Sequence, residues 1–224
     1  MTEEFYIGTY TKRISRGIYR VSVDTTTPKL MDCEWLASAG SPTYIAKSNA
    51  KRLYVINKKE TDGQTHGGLI IYDMSEDKPR AIQQLLDLGS SPAYVAVDED
   101  RQLVYTANYH TAAVDVYAIN PDGTLKRTDQ VIDQDPVGPA PEQADGPHPH
   151  LADLTPENPF VLRAFGPDRL SAYDAPAPAT LPALSHPDSP PAYRPPHLAF
   201  DPNNRLAHLP RELRSNAPTL TLAS

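Results

Sequence analysis

One cysteine, three methionines and one tryptophan among 224 residues leave little room for sulfur chemistry. A lone Cys33 cannot close an internal disulfide, and a metal site built from several thiolates is excluded. The expected role of Cys33 is that of a small buried apolar side chain. No run approaches the ~18 apolar residues of a membrane-spanning helix, so no membrane partner is expected. The opening Met1-Thr2-Glu3-Glu4 lacks the basic stretch followed by an apolar one that marks a secretory leader, so the cytoplasm is the expected compartment. Basic excess is missing too. The formal net charge is −7 and no stripe of Lys and Arg runs through the chain, which argues against nucleic acid as a partner.

What the chain has in surplus is proline, 24 residues where about 11 would be ordinary at ~5%. Five lie in residues 1–130 and nineteen in 131–224. Each removes a backbone donor and fixes φ, so helical bundles and coiled coils are ruled out, and the second region should hold few clean central strands. Charge is uneven as well. Between Thr128 and Phe160 stand seven acids (Asp129, Asp133, Asp135, Glu142, Asp145, Asp153, Glu157) and no Lys or Arg.

The first 130 residues read as short strands. Phe5–Tyr10 and Gly17–Val23 alternate β-branched or aromatic residues with polar ones, and Asp62-Gly63 and Pro121-Asp122-Gly123 are turn signals. A longer repeat overlies this pattern. Ser41-Pro42-Thr43-Tyr44-Ile45-Ala46 recurs as Ser91-Pro92-Ala93-Tyr94-Val95-Ala96, then more loosely as His148-Pro149-His150-Leu151-Ala152 and Pro195-Pro196-His197-Leu198-Ala199. Tyr44, Tyr94, His150 and His197 align at spacings of 50, 56 and 47. Each entry strand is followed by a second (53–57, 103–108, 160–162, 206–209) and a third (68–73, 114–117, 170–174, 219–222). A fourth is expected at 81–88 and 126–132.

Four strands every ~50 residues predict an all-β β-propeller, in which each sheet covers the face its neighbour would leave wet. The blades fall at about 5–40, 41–90, 91–145, 146–190 and 191–224 within one partial propeller domain spanning 1–224. The first lacks an innermost strand and the last stops after its third, giving about four and a half blades. Such a chain is expected to be a truncated piece of a longer propeller, or one that self-associates through its unpaired sheet edges. The six prolines from Pro176 to Pro191 read as extended linker, and fewer ladder hydrogen bonds and higher mobility are expected after Glu157.

Phe5–Thr11, Ser41–Asn57, Ser91–Tyr117 and Gly146-Pro147-His148-Pro149-His150 together resemble the bacterial lactonases built on a seven-bladed propeller. That family includes 6-phosphogluconolactonases of the propeller type and the fungal carboxy-muconate lactonising enzymes. Tyr105-Thr106-Ala107-Asn108-Tyr109-His110 and Pro147-His148-Pro149-His150 are the most specific pieces, and the match weakens after Glu157. The resemblance implies hydrolysis of a small anionic sugar lactone, 6-phosphogluconolactone first, with no cofactor and no metal. It also implies a site made of a histidine, arginines and a glutamate. The histidine maps to His148 and the glutamate to Glu212 in Arg211-Glu212-Leu213. One expected arginine position holds Pro196, with Arg194 two residues earlier, and a further arginine would lie beyond Ser224.

Lactone hydrolysis needs an activated water, a stabilised carbonyl oxygen and, for a phosphorylated substrate, an anion contact. His148 and Glu212 are the candidate catalytic pair, either of which could be the base. Arg194 is the candidate anion contact, since a guanidinium fork binds oxygens in pairs. His150, His197 and Asn108 complete the candidate substrate contacts. Other roles compete with these. His150 and His197 hold the position of Tyr44 and Tyr94, where ring packing is the ordinary function. His148 falls where the repeat has Ser41 or Ser91. Asn57 and Asn108 follow second strands, where turns form. A divalent-cation site among His148, His150, Asp133, Asp135, Glu142 and Asp145 has no standard spacing. A non-catalytic scaffold that recruits a partner strand is the rival of a different class, and muconate-type lactonisation is the rival within the family.

Overall fold

The computed structural model describes residues 1–132 and 146–154, and beyond them the backbone of six strands together with the His208 side chain. Every regular element is a β-strand. The first sheet has three antiparallel strands in sequence order, β1 (Thr2–Gly8), β2 (Gly17–Asp24) and β3 (Lys29–Ser38). The second has four, β4 (Ile45–Lys47), β5 (Arg52–Thr61), β6 (Gln64–Asp73) and β7 (Arg80–Leu88). A third follows with β8 (Tyr94–Asp98), β9 (Leu103–Asn108), β10 (Ala113–Ile119) and β11 (Leu125–Ile132). The fourth holds β12 (Leu151–Leu154), β13 (Phe160–Ala164), β14 (Leu170–Asp174) and β15 (Ala183–Ser185). The last has β16 (Ala199–Phe200), β17 (Leu206–His208) and β18 (Thr219–Thr221). Four-stranded antiparallel meanders flanked by two three-stranded sheets are the pattern that the sequence repeat predicts for propeller blades.

The chain forms two compact units. Residues 1–95 with 120–125 make one, and residues 96–119 with 126–224 make the other. In the first unit the core lies between two sheets. Ile18, Ala37 and Ala39 meet Leu53, Val55, Ile70 and Tyr72, with Tyr6, Leu36, Ile45 and Met74 around them. Ile18 and Leu53 are 1% exposed, and burial of such a side chain contributes about 2 kcal/mol. Leu53 to Ile56 form an unbroken buried apolar run on β5, as expected of a strand covered on both faces. Residues 120–125 belong here because they clasp β7. The Gln83 amide Nε2 donates to the Leu125 carbonyl (2.9 Å), and its Oε1 accepts from the Leu125 N–H (2.6 Å).

In the second unit all six residues of β9 are buried. A polar clasp fixes the β8–β9 turn. Asp98, 2% exposed, accepts from the Arg101 N–H (3.0 Å), the Arg101 guanidinium (2.7 Å) and the Tyr105 hydroxyl (3.4 Å). Burial, then the charge of Asp98, pushes the Tyr105 phenol well above its ordinary value.

Three expectations are corrected. Cys33 is exposed, not buried. It lies on the outer strand β3, where Leu30, Met31 and Trp35 are exposed as well, so no neighbouring face covers it. The second strand of the second sheet does not end at Asn57. It runs to Thr61 and turns at Asp62-Gly63, both with positive φ (53° and 73°), into β6, a two-residue hairpin of the primed type. The stretch read as linker between Pro176 and Pro191 contains β15, which pairs with β14 through Ala172↔Ser185 and Tyr173↔Ala183. The remainder of that stretch, and the acidic connector 133–145, lie outside the described residues.

Candidate functional site

His148 sits in the short approach to β12 and is 7% exposed. Its position is set by Tyr109, the residue that leaves β9. The imidazole stacks on the phenol ring at 4.0 Å between centroids and 3° between planes. Its Nδ1 lies 2.8 Å from the Tyr109 carbonyl oxygen. A carbonyl can only accept, so Nδ1 must carry the proton. In the neutral ring this leaves the lone pair on Nε2, the form required of a base or an acceptor.

Tyr109 is held in turn by its neighbour. Asn108, 8% exposed, ends β9, and its Oδ1 accepts from the N–H groups of His110 (3.1 Å) and Thr111 (3.3 Å). This side-chain turn fixes the path of the backbone whose carbonyl faces His148. The Tyr109 ring also meets His110 edge-on at 5.2 Å and His150 edge-on at 6.1 Å. One phenol therefore gathers three imidazoles.

The repeat gives this arrangement its meaning. With Tyr44 aligned to His150, His148 stands opposite Pro42, one place after Ser41, and in the first unit Ser41 makes a plain structural tie. The Ser41 N–H donates to the Thr11 hydroxyl (3.0 Å), and the Thr11 N–H reaches the Ser41 hydroxyl (3.4 Å). Tyr44 and Tyr94, the counterparts of His150, pack ring against ring at 4.2 Å. Where the first unit has a hydroxyl tie and a ring stack, the second has an oriented imidazole and an imidazole edge on Tyr109.

Of the predicted site residues, the fold brings His148 and His150 together around Tyr109, with Asn108 shaping the turn beneath them. Glu212, Arg194 and His197 lie outside the described residues, as do Asp133, Asp135, Glu142 and Asp145. Among the described residues no group of three His, Cys, Asp or Glu side chains is gathered as a metal would require. Tyr109 is the member that sequence reasoning overlooked. Its only signal was its place directly after the buried second strand, in the Asn108-Tyr109-His110 segment.

Antiparallel four-stranded blades define a propeller, with an oriented histidine at the entry of one of them. The sequence profile of the seven-bladed β-propeller lactonases matches residues 4–223, and the chain belongs to this family. It is 36% identical over 220 residues to the 6-phosphogluconolactonase of Bacillus subtilis, covering 96% of this chain and 61% of that protein. It is also 36% identical over 221 residues to a protein of Lactococcus lactis subsp. cremoris, covering 99% of this chain and 63% of that one. A crystal structure of a Lactobacillus plantarum protein superposes with a TM-score of 0.91 at 38% identity, over 100% of this chain and 64% of the other. The chain thus spans less than two thirds of the length of these relatives.

Proposed function

We propose that this chain serves hydrolysis of a sugar lactone, with 6-phosphogluconolactone as the substrate and the cytoplasm as the place. The observation that carries the reading is the Nδ1–H bond from His148 to the Tyr109 carbonyl, which makes Nε2 the basic nitrogen of the neutral ring. Membership in the lactonase family and the likeness to a 6-phosphogluconolactonase support it.

On this reading Nε2 of His148 takes a proton from water as the water oxygen bonds to the lactone carbonyl carbon. The carbonyl π electrons move to the oxygen, which Arg194 would stabilise. The oxyanion then re-forms the carbonyl, the bond to the ring oxygen breaks, and the Nε2 proton passes to the leaving alkoxide. The product is the open-chain acid. Glu212 would act as the carboxylate partner of the imidazolium. Base catalysis of this kind supplies ~10²–10⁴-fold.

The test is turnover of 6-phosphogluconolactone and of unphosphorylated gluconolactone by the parent, His148→Ala and Glu212→Gln proteins. Loss of ~10²-fold or more in kcat for His148→Ala is expected, with preference for the phosphorylated lactone. Unchanged turnover in both variants would overturn the assignment.

A further inference from the structure

An open cavity of about 280 Å³ lies in the first unit, lined among others by Thr11, Arg16, Gly40, Asn57, Lys58 and Lys59. Three of its lining residues are cations and none is an acid, in a chain whose net charge is −7. Glu60 lies beside Lys58, with its Oε1 3.4 Å from the ammonium.

The walls are built rather than fluid. Lys58 donates its N–H to the Gly40 carbonyl (2.8 Å), and the Gly40 N–H donates to the Asn57 Oδ1 (2.7 Å). With that oxygen engaged, the Asn57 amide contributes its NH₂ donors. A side chain at Gly40 would bring its Cβ to 1.7 Å from the Lys58 carbonyl oxygen, so glycine keeps the wall close. Arg16 is placed by Trp35, with its guanidinium carbon 4.3 Å from the ring centroid. The Trp35 ring and a side-chain hydrogen bond to Tyr19 position the guanidinium, whose five N–H groups exceed what that one bond uses.

We propose that this cavity binds a phosphate group, with Arg16 as the bidentate donor, Lys58 and Lys59 as point charges and Asn57 as a neutral donor. Clustered cations beside neutral donors suit a compact tetrahedral dianion, which accepts hydrogen bonds in every direction. All its lining residues belong to the first unit, and the proposal stands whether or not the lactone reading holds.

Trp35 is the only tryptophan in the chain, so its fluorescence reports on the guanidinium stacked against it. The experiment titrates the protein with inorganic phosphate, and separately with a hexose 6-phosphate, at ionic strength held constant with sodium chloride. Trp35 emission and the backbone amide NMR shifts of Gly40 and Lys58 are followed together. A saturable response to either ligand is expected, and the tighter one names the source of the phosphate. The Lys58→Gln/Lys59→Gln variant, which leaves the Arg16–Trp35 stack intact, should bind at least about tenfold more weakly, or ~1.4 kcal/mol. Both side chains are exposed, so the variant should keep its fold, checked by circular dichroism. Silence in both signals with both ligands overturns the proposal, as does binding by the double variant as tight as the parent's.

Discussion

Removal of the Asp98 carboxylate should be among the more damaging single changes in the second unit. Asp98→Ala strips three donors of their acceptor, and the three fare differently. The Arg101 guanidinium is 22% exposed and recovers water at little loss. The Arg101 N–H loses the bond that closes the β8–β9 turn, worth about 1 kcal/mol. The Tyr105 hydroxyl belongs to a residue that is 0% exposed and is left buried without a partner, at about 1–3 kcal/mol. The expected loss is therefore about 2–4 kcal/mol. Tyr105→Phe alone should lose less than about 1 kcal/mol, because it deletes a long 3.4 Å bond and leaves no orphan. In the double variant no hydroxyl remains to be stranded, so its loss should fall short of the sum of the singles by about 1 kcal/mol. Urea unfolding followed by far-UV circular dichroism, on all four proteins, measures the cycle. An Asp98→Ala loss below about 0.5 kcal/mol, or strict additivity, would refute the reasoning.

Two further outcomes are expected. Hydrogen bonds from the Ser75 hydroxyl and N–H, then the charges of Arg52 and Arg80, hold the Asp73 carboxyl below the usual carboxylate range. A depressed value contributes stability above the unfolded-state value that is lost as pH falls through the native one, so Asp73→Asn should flatten the acid side of the stability profile measured by thermal melts between neutral and acid pH. Gly68→Ala would drive a Cβ to 2.1 Å from the Leu85 carbonyl oxygen, and should cost about 3 kcal/mol in chemical denaturation. Gly63→Ala meets nothing within 4 Å but needs a positive φ of 73°, and should cost only about 1 kcal/mol.

The repeat was legible because blade architecture imposes spacing. Each entry strand, second strand and third strand recurs at a near-constant interval, so the strands of the first three sheets could be placed in order, with ends missed by four residues at β5 and β6. Burial at an outer edge was not legible. Cys33 has the composition of a core residue, but nothing in local sequence says that β3 faces water on both sides. Nor did the proline density reveal β15, since Ala183-Leu184-Ser185 is a three-residue island whose pairing partner, β14, is decided elsewhere in the chain. His148 could be picked out by its motif. Its orientation could not, because the acceptor that fixes it is a carbonyl 39 positions earlier, and a backbone carbonyl leaves no signature in sequence.

That last point bears on how such a site can diverge. The group that fixes the protonation of His148 belongs to the main chain of residue 109, so no single codon change can delete it. Exchange of the Tyr109 side chain would alter the stacking surface and leave the carbonyl in place as long as the Asn108 turn holds. The proton arrangement is thus inherited from the route of the backbone, and the side chains around it are free to drift. A lineage built this way can change the surroundings of its oriented histidine without first rebuilding what orients it.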